Sequence, residues 1–150
     1  MKVKSTVTIY RQRLRELTRA TAVSLTQTAE ALKTEVQQAQ VVPRDTGNLQ
    51  NESFFVDDKD ARSGTVRLVH QTPYARRVYF NPDGVRFHRQ PWESVEIVTG
   101  TNGTYRKRVR HDGNPHAKDH WFEDWLPGGT KQDFCANTFK RLYHRNGGLS

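Results

Sequence analysis

The sequence predicts an α+β fold: a long N-terminal helix packed on a small antiparallel sheet, with a projecting β-hairpin and short C-terminal helices. Three observations carry this. Leu14, Leu17, Thr21, Leu25, Thr28, Leu32, Val36 and Ala39 recur every three or four residues, the spacing of one helix face. Beyond Pro43, short runs alternate apolar and polar side chains between clusters of Gly, Pro, Asn and Asp, which is the pattern of strands and turns. Toward the C-terminus the helical period returns, so helices and strands are segregated along the chain rather than alternating.

Each element has a local cause. Val3, Ser5, Val7 and Ile9 alternate with Lys2, Lys4, Thr6 and Thr8, predicting a strand or extended arm over residues 1–9. The helix then runs from about Tyr10 to about Gln40. Its stripe is thin and partly threonine, which fits packing on one side only or completion by a neighbouring subunit. Pro43 disfavours helix at Val42. Asp45 and Thr46 can bond nearby backbone N–H groups and Gly47 can take positive φ, so the chain turns sharply toward a strand. That strand is Ser53–Val56. The polar stretch Asp57–Gly64 makes the connection, and Thr65–His70 is the return strand.

Pro73 suits the first turn of a short helix with Tyr74 and Val78 on one side, ended by the turn Asn81-Pro82-Asp83-Gly84. Trp92–Thr99 and Thr104–Arg110 form a hairpin about the tip Gly100-Thr101-Asn102-Gly103. Arg106, Arg108 and Arg110 share one face of it, and it has too few apolar residues for a core. A projecting finger is expected. Asn114 is placed to cap a short helix opened by Pro115, with Trp121, Phe122, Trp125 and Leu126 on its apolar side and Pro127-Gly128-Gly129 ending it. A last helix from about Lys131 to Arg145 buries Phe134, Thr138 and Leu142, and residues 146–150 form a loose tail.

The length of 150 residues fits one domain, 1–150, able to bury a core without disulfides. Apolar content is 34% and charged content 27%, which implies a small core and much polar surface. Cys135 is the only cysteine, excluding an intrachain disulfide and pointing to synthesis in a reducing compartment. No apolar run approaches bilayer length and the N-terminus lacks a signal-peptide hydrophobic region, so a soluble, unexported protein without membrane contact is expected. The net charge of +8 is uneven: residues 1–35 carry +4, 36–83 carry 0, 84–113 carry +3, 114–130 carry −2 and 131–150 carry +3. Basic regions of this kind attract nucleic acid or an acidic protein neighbour, or form a solvated surface.

The residues capable of chemistry read as structural. Asp45-Thr46-Gly47 has the aspartic-protease triplet, but it follows a helix and a proline rather than an apolar strand, and no second triplet exists. His116 and His120 are four apart, which on a helix places both on one side with Glu123 in reach. The glutamate that a metalloprotease motif carries after its first histidine is Ala117 here, so no metal is assigned. Cys135 is a packing residue, and no Gly-rich phosphate loop follows a strand. Neither catalytic residues nor a cofactor are expected.

Three segments in fixed order resemble a known family. They are Asp45-Thr46-Gly47-Asn48-Leu49-Gln50-Asn51-Glu52-Ser53, then Thr72-Pro73-Tyr74-Ala75-Arg76-Arg77-Val78-Tyr79-Phe80, then Asn114-Pro115-His116-Ala117 with Trp121-Phe122-Glu123. Together they are similar to the minor capsid proteins of tailed bacteriophages of Gram-positive hosts, a branch of the neck proteins that join head to long tail. The stretch Trp125-Leu126-Pro127-Gly128-Gly129 with Phe134, Phe139, Leu142 and Tyr143 also fits. The resemblance covers roughly residues 30–82 and 113–145; the N-terminal arm and the basic hairpin, about 84–112, stand outside it as additions.

The resemblance implies a virion protein made in the host cytoplasm: a hexameric or dodecameric ring around the DNA channel. Its neighbours would be a portal-side connector or head-closure protein and a tail terminator or tail tube protein. Arg86, Arg89, Arg106, Lys107, Arg108 and Arg110 are the candidate surface for nonspecific contact with genomic DNA or for docking on a partner. Docking is favoured, because DNA must slide through a neck and an adhesive lining hinders ejection. Trp125 is the candidate interface anchor. The competing classes are a free, sequence-nonspecific DNA-binding protein and a metal-dependent nuclease built on His116 and His120.

Overall fold

A computed structural model describes residues 8, 10–43 and 53–149. The architecture is α+β, with a long N-terminal helix, two separate two-stranded antiparallel sheets and a C-terminal helix. The N-terminal arm, except Thr8, and Asp45, Thr46, Gly47 and Leu49 of the predicted turn lie outside the described residues.

Helix α1 spans Arg11–Ala39, 29 residues, or roughly 44 Å at 1.5 Å per residue. Its buried positions are Ala20, Ser24, Thr28 and Val36, so the buried seam shares Thr28 and Val36 with the expected stripe and passes through Ala20 and Ser24 rather than Thr21 and Leu25. Leu14 is 56% exposed, and its neighbours in residues 11–16 are exposed as well. The small side chains at 20, 24 and 28 let helix α3 (Phe134–Arg145) cross closely, with Thr138 buried on the facing side. Two hydroxyls that would otherwise be stranded in this seam find partners: Thr28 Oγ1 donates to Ser24 O at 2.7 Å, and Ser24 Oγ accepts Asn146 Nδ2 at 3.0 Å. Asn146 Nδ2 also donates to Gln27 Oε1 at 2.8 Å. The start of the expected loose tail is therefore fastened to α1, and within its described part Gly147 and Leu149 are exposed.

Gln40 ends α1 in the left-handed region, φ 53°, with its N–H bonded to Gln37 O. Val41 and Val42 then turn into the core beside Val36, Phe54, Ala75, Trp121 and Trp125. Strand β1 (Phe54–Asp57) pairs with β2 (Arg67–His70) in the register Phe54↔His70 to Asp57↔Arg67. Their connection holds a 3-10 turn at Ala61–Ser63, packed under α1. Helix α2 (Ala75–Phe80) follows Pro73 and ends at Asn81, whose side chain brackets the loop by bonding both N–H and O of Val85.

The second sheet is the predicted finger. Strand β3 (Trp92–Gly100) pairs with β4 (Gly103–His111) over nine positions each, about 30 Å of ribbon turning at Thr101-Asn102. These strands make their extensive contacts with each other.

One expected element is absent. Pro115 to Trp125 forms turns and a 3-10 turn at Glu123–Trp125 instead of an α-helix. The cause is competition for backbone donors. Lys118 N–H bonds Val41 O at 3.0 Å and His120 N–H bonds Tyr79 O at 2.8 Å, so neither is available to a local helix. Asn114 is likewise drawn away from capping. Its Nδ2 donates to Gln40 O at 2.6 Å and to Val42 O at 3.0 Å, satisfying carbonyls left open at the end of α1, while its Oδ1 accepts His116 N–H at 3.3 Å. Leu126, expected on the apolar side, is exposed.

Asn114 is buried, so truncation strands two carbonyls without giving them to water. Asn114→Ala is expected to cost about 2–4 kcal/mol in urea unfolding, and Asn114→Asp, which lacks the donors, at least as much. A loss below about 0.5 kcal/mol would show that these bonds do not hold the segment.

Candidate functional site

Two surfaces stand out: the finger and an aromatic hollow. On the finger, residues paired across the ribbon share a face. The register places Arg106 opposite Ile97, Arg108 opposite Val95 and Arg110 opposite Glu93. The predicted arginine row thus exists, and it runs beside two branched apolar residues in open solvent, Ile97 at 73% and Val95 at 61% exposure. Lys107 occupies the opposite face with Tyr105, again exposed.

The base of the finger is stiffened on that second face. Trp92 lies between two imidazoles, with His88 stacked at 4.2 Å and His111 at 4.2 Å, and Ser94 Oγ is 2.7 Å from His111 Nε2. Sequence reasoning missed this sandwich. Trp92 and His111 stand at equal distances from the tip, so the hairpin register alone would have paired them. Gly113 brings the end of β4 against residues 89–90; a Cβ there would collide with the Gln90 backbone and sit 2.6 Å from Arg89 O. Arg89 Nε donates to Ala117 O at 3.1 Å, and Arg86 lies near it in a hollow of about 410 Å³ shared with Lys118 and Asp119. Arg86 and Arg89 therefore belong to the root of the finger rather than to its arginine row.

The aromatic hollow forms where the second and third resemblance segments meet. Trp121, 1% exposed, stands edge-on to Tyr79 at 4.7 Å and to His70 at 5.4 Å, and its Nε1–H donates to His70 Nε2 at 3.2 Å. His70 in turn stacks on Phe54 at 4.3 Å. Phe80 and Phe122 complete an open apolar hollow of about 230 Å³. Tyr79, Phe80 and His70 were not singled out from sequence; only their place in strand β2 and helix α2 directs Tyr79 and His70 to Trp121, and Phe80 to Tyr79 and His120.

The remaining expected residues divide cleanly. Ser53, Ala75, Asn114 and Trp121 are buried and hold the scaffold, while Pro73, Tyr74, Pro115 and Glu123 are exposed around it. Trp125, the expected interface anchor, is a core residue at 5% exposure, covered by Lys131 Nζ at 4.9 Å from its ring, and is not available to a partner. His116 and His120 do not share a helix face, and His120 takes φ 45°, so the spacing that would pair them on a metal does not apply. Among the described residues no group of three His, Cys, Asp or Glu side chains is arranged to hold a metal ion, and no helix is long and apolar enough to cross a membrane. Burial pushes the Cys135 thiol above its ordinary pKa, which lowers its thiolate fraction and its nucleophilicity. No protein-family model, curated protein or solved structure matches the chain.

The Tyr79 phenol is held above its usual pKa, first by burial and then by the neighbouring Glu123 carboxylate; the Phe122 backbone N–H opposes this more weakly. The folded state thus keeps the proton longer than the unfolded chain. That contribution is complete below the ordinary tyrosine pKa near about 10 and is lost as pH rises through the elevated folded value. Stability measured by urea unfolding should fall less steeply above about pH 10 in Tyr79→Phe than in the parent chain. Identical slopes would contradict the assignment.

Proposed function

We propose that this chain is a structural subunit of a bacteriophage neck, a ring-forming protein that joins the portal-side connector to the tail and continues the DNA channel. The observation that carries the reading is the use made of the resemblance segments. Thr72–Phe80 and Asn114–Glu123 are spent on joining α1, the first sheet and the finger through Asn114, Tyr79 and Trp121. Motif residues used this way serve a shape, and a shape is what an assembly subunit contributes.

The finger adds support. A two-stranded ribbon alone is marginal in water, and this one exposes Val95, Ile97 and Tyr105 together with four cations. Contact with a partner gives that exposed surface a use. The partners proposed are further copies of the chain in a hexamer or dodecamer, a head-closure protein and a tail terminator or tube protein, with the genome passing through.

A second reading, free nonspecific DNA binding, rests on the exposed row Arg106, Arg108 and Arg110. Phosphate contacts of this kind are salt-sensitive and independent of sequence. The nuclease reading has no geometric support at His116 and His120.

Electron microscopy of virions carrying a tagged copy tests the proposal. Density at the junction of head and tail, in a ring, is the expected result; a chain absent from particles would overturn it. In the same series the parent chain should retain DNA weakly or not at all, and reversing Arg106, Arg108 and Arg110 to glutamate should change this little. An abolished, salt-sensitive retention in a chain absent from particles would install the DNA-binding reading instead.

A further inference from the structure

Both long sides of the finger are free strand edges. Among the described residues β3 and β4 pair only with each other, so along each outer side main-chain N–H and C=O groups point away with no strand to receive them. The two edges differ in charge. Strand β3 holds Glu93 and Glu96 and no cation, whereas strand β4 holds Arg106, Lys107, Arg108 and Arg110 and no carboxylate. All six side chains are exposed, and none is in an ion pair among the described residues. Val95, Ile97 and Tyr105 are exposed along the same strands, so covering them removes apolar surface from water.

We infer that the finger adds edge to edge to the finger of a second copy of this chain, β4 of one against β3 of the next. This rests on the proposed assembly role and specifies its contact. Charge disfavours the pairing of like edges, because two β4 edges set four cations against four and two β3 edges set carboxylates together. Unlike edges attract. When the fingers point the same way, as copies around one axis do, β4 runs antiparallel to the neighbouring β3 and the ribbons keep their faces in common. The side chains then choose the register. Repeating the register found inside the ribbon sets Arg110 against Glu93 of the second copy and Lys107 against its Glu96. Sliding by two places, the smallest step that keeps the faces, sets Glu96 against Tyr105 or Val109 instead. In the first register Arg106 and Arg108 lie across from Ile97 and Val95, whose branched side chains their aliphatic stems can cover. Nucleic acid would answer the cations of β4 but supplies neither a strand nor a cation to β3. Because the paired edges differ, the contact is heterologous; repeated, it closes a ring or runs on as a filament.

Disulfide trapping in the full chain with Cys135→Ser tests this. Thr99 and Thr104 stand at the same level of the register and are exposed and uncharged, so cysteines there leave the charges in place. Facing residues on adjacent antiparallel strands are about 4.5–5.5 Å apart at Cα, within the span of a disulfide. Thr99→Cys and Thr104→Cys are made as separate proteins, oxidised alone or mixed in equal amounts, and followed on non-reducing gels. The mixture should form interchain disulfides at least about tenfold faster than either protein alone. Glu93→Lys with Glu96→Lys on the Thr99→Cys chain should abolish that advantage. Adding Lys107→Glu with Arg110→Glu on the Thr104→Cys chain should restore it. Each reversed ribbon sets like charges together within itself, so restoration can come only from contact between chains. Equal rates in the mixture and in the separate proteins, or rates blind to the charge reversals, would overturn the pairing and leave the edges to another partner. Faster crosslinking of one variant with itself would overturn it in favour of a symmetric contact. The location of the chain in virions decides the ring proposal separately, so each can fail without the other.

Discussion

The structure depends on one side chain, Asn114. Its carboxamide donates to Gln40 O and Val42 O where α1 ends, its own N–H donates to His88 O at the root of the finger, and its Oδ1 receives His116 N–H. Two segments distant in sequence thus meet at this residue, the end of α1 through its carboxamide and the root of the finger through its backbone N–H. Only asparagine or glutamine offers two donors and an acceptor on a planar group, and a carboxylate would face the α1 carbonyls with like polarity. At the C-terminal end of a helix, where carbonyl oxygens lack intrahelical partners, such a donor satisfies groups that Val41 and Val42 have carried into the core.

What Asn114 fixes, the neighbouring residues extend. Lys118 N–H on Val41 O and His120 N–H on Tyr79 O draw residues 114–120 across the end of α1 and onto α2. Trp121 then falls between Tyr79 and His70 and closes the core over Phe54. In the other direction, Gly113 and the stack of His88, Trp92 and His111 transmit the position of Asn114 into the ribbon. The finger is therefore aimed by the same contacts that form the aromatic hollow, so the relative placement of the two surfaces is built in rather than adjustable. In an assembly subunit that placement sets the angle between neighbours.

Much of this was legible in the sequence, and the failures share one cause. The helix of α1, the hairpin register and the arginine row depend on local period and turn residues, and Gly100-Thr101-Asn102-Gly103 specifies its turn without help from the rest of the chain. The helix expected after Pro115 and the interface role expected of Trp125 both failed because tertiary partners intervene. Asn114 has the same local signature whether it caps its own helix or another helix's end, and only the presence of open carbonyls at Gln40 and Val42 decides. Likewise the small residues Ala20 and Ser24, unremarked in the apolar stripe, become the seam only once α3 lies against them. The hollow was invisible for the same reason: Tyr79, Phe80, Trp121 and Phe122 come from two segments about forty residues apart that no local period connects.

The central claim is that Asn114 couples the direction of the finger to the end of α1. Electron–electron distance measurement between spin labels at Thr34 on α1 and Thr101 at the finger tip, in a chain with Cys135 replaced by serine, addresses it most directly. A single narrow distance distribution that broadens or splits in Asn114→Ala is the predicted result. A broad distribution in the parent chain, or a narrow one that Asn114→Ala leaves unchanged, would contradict it.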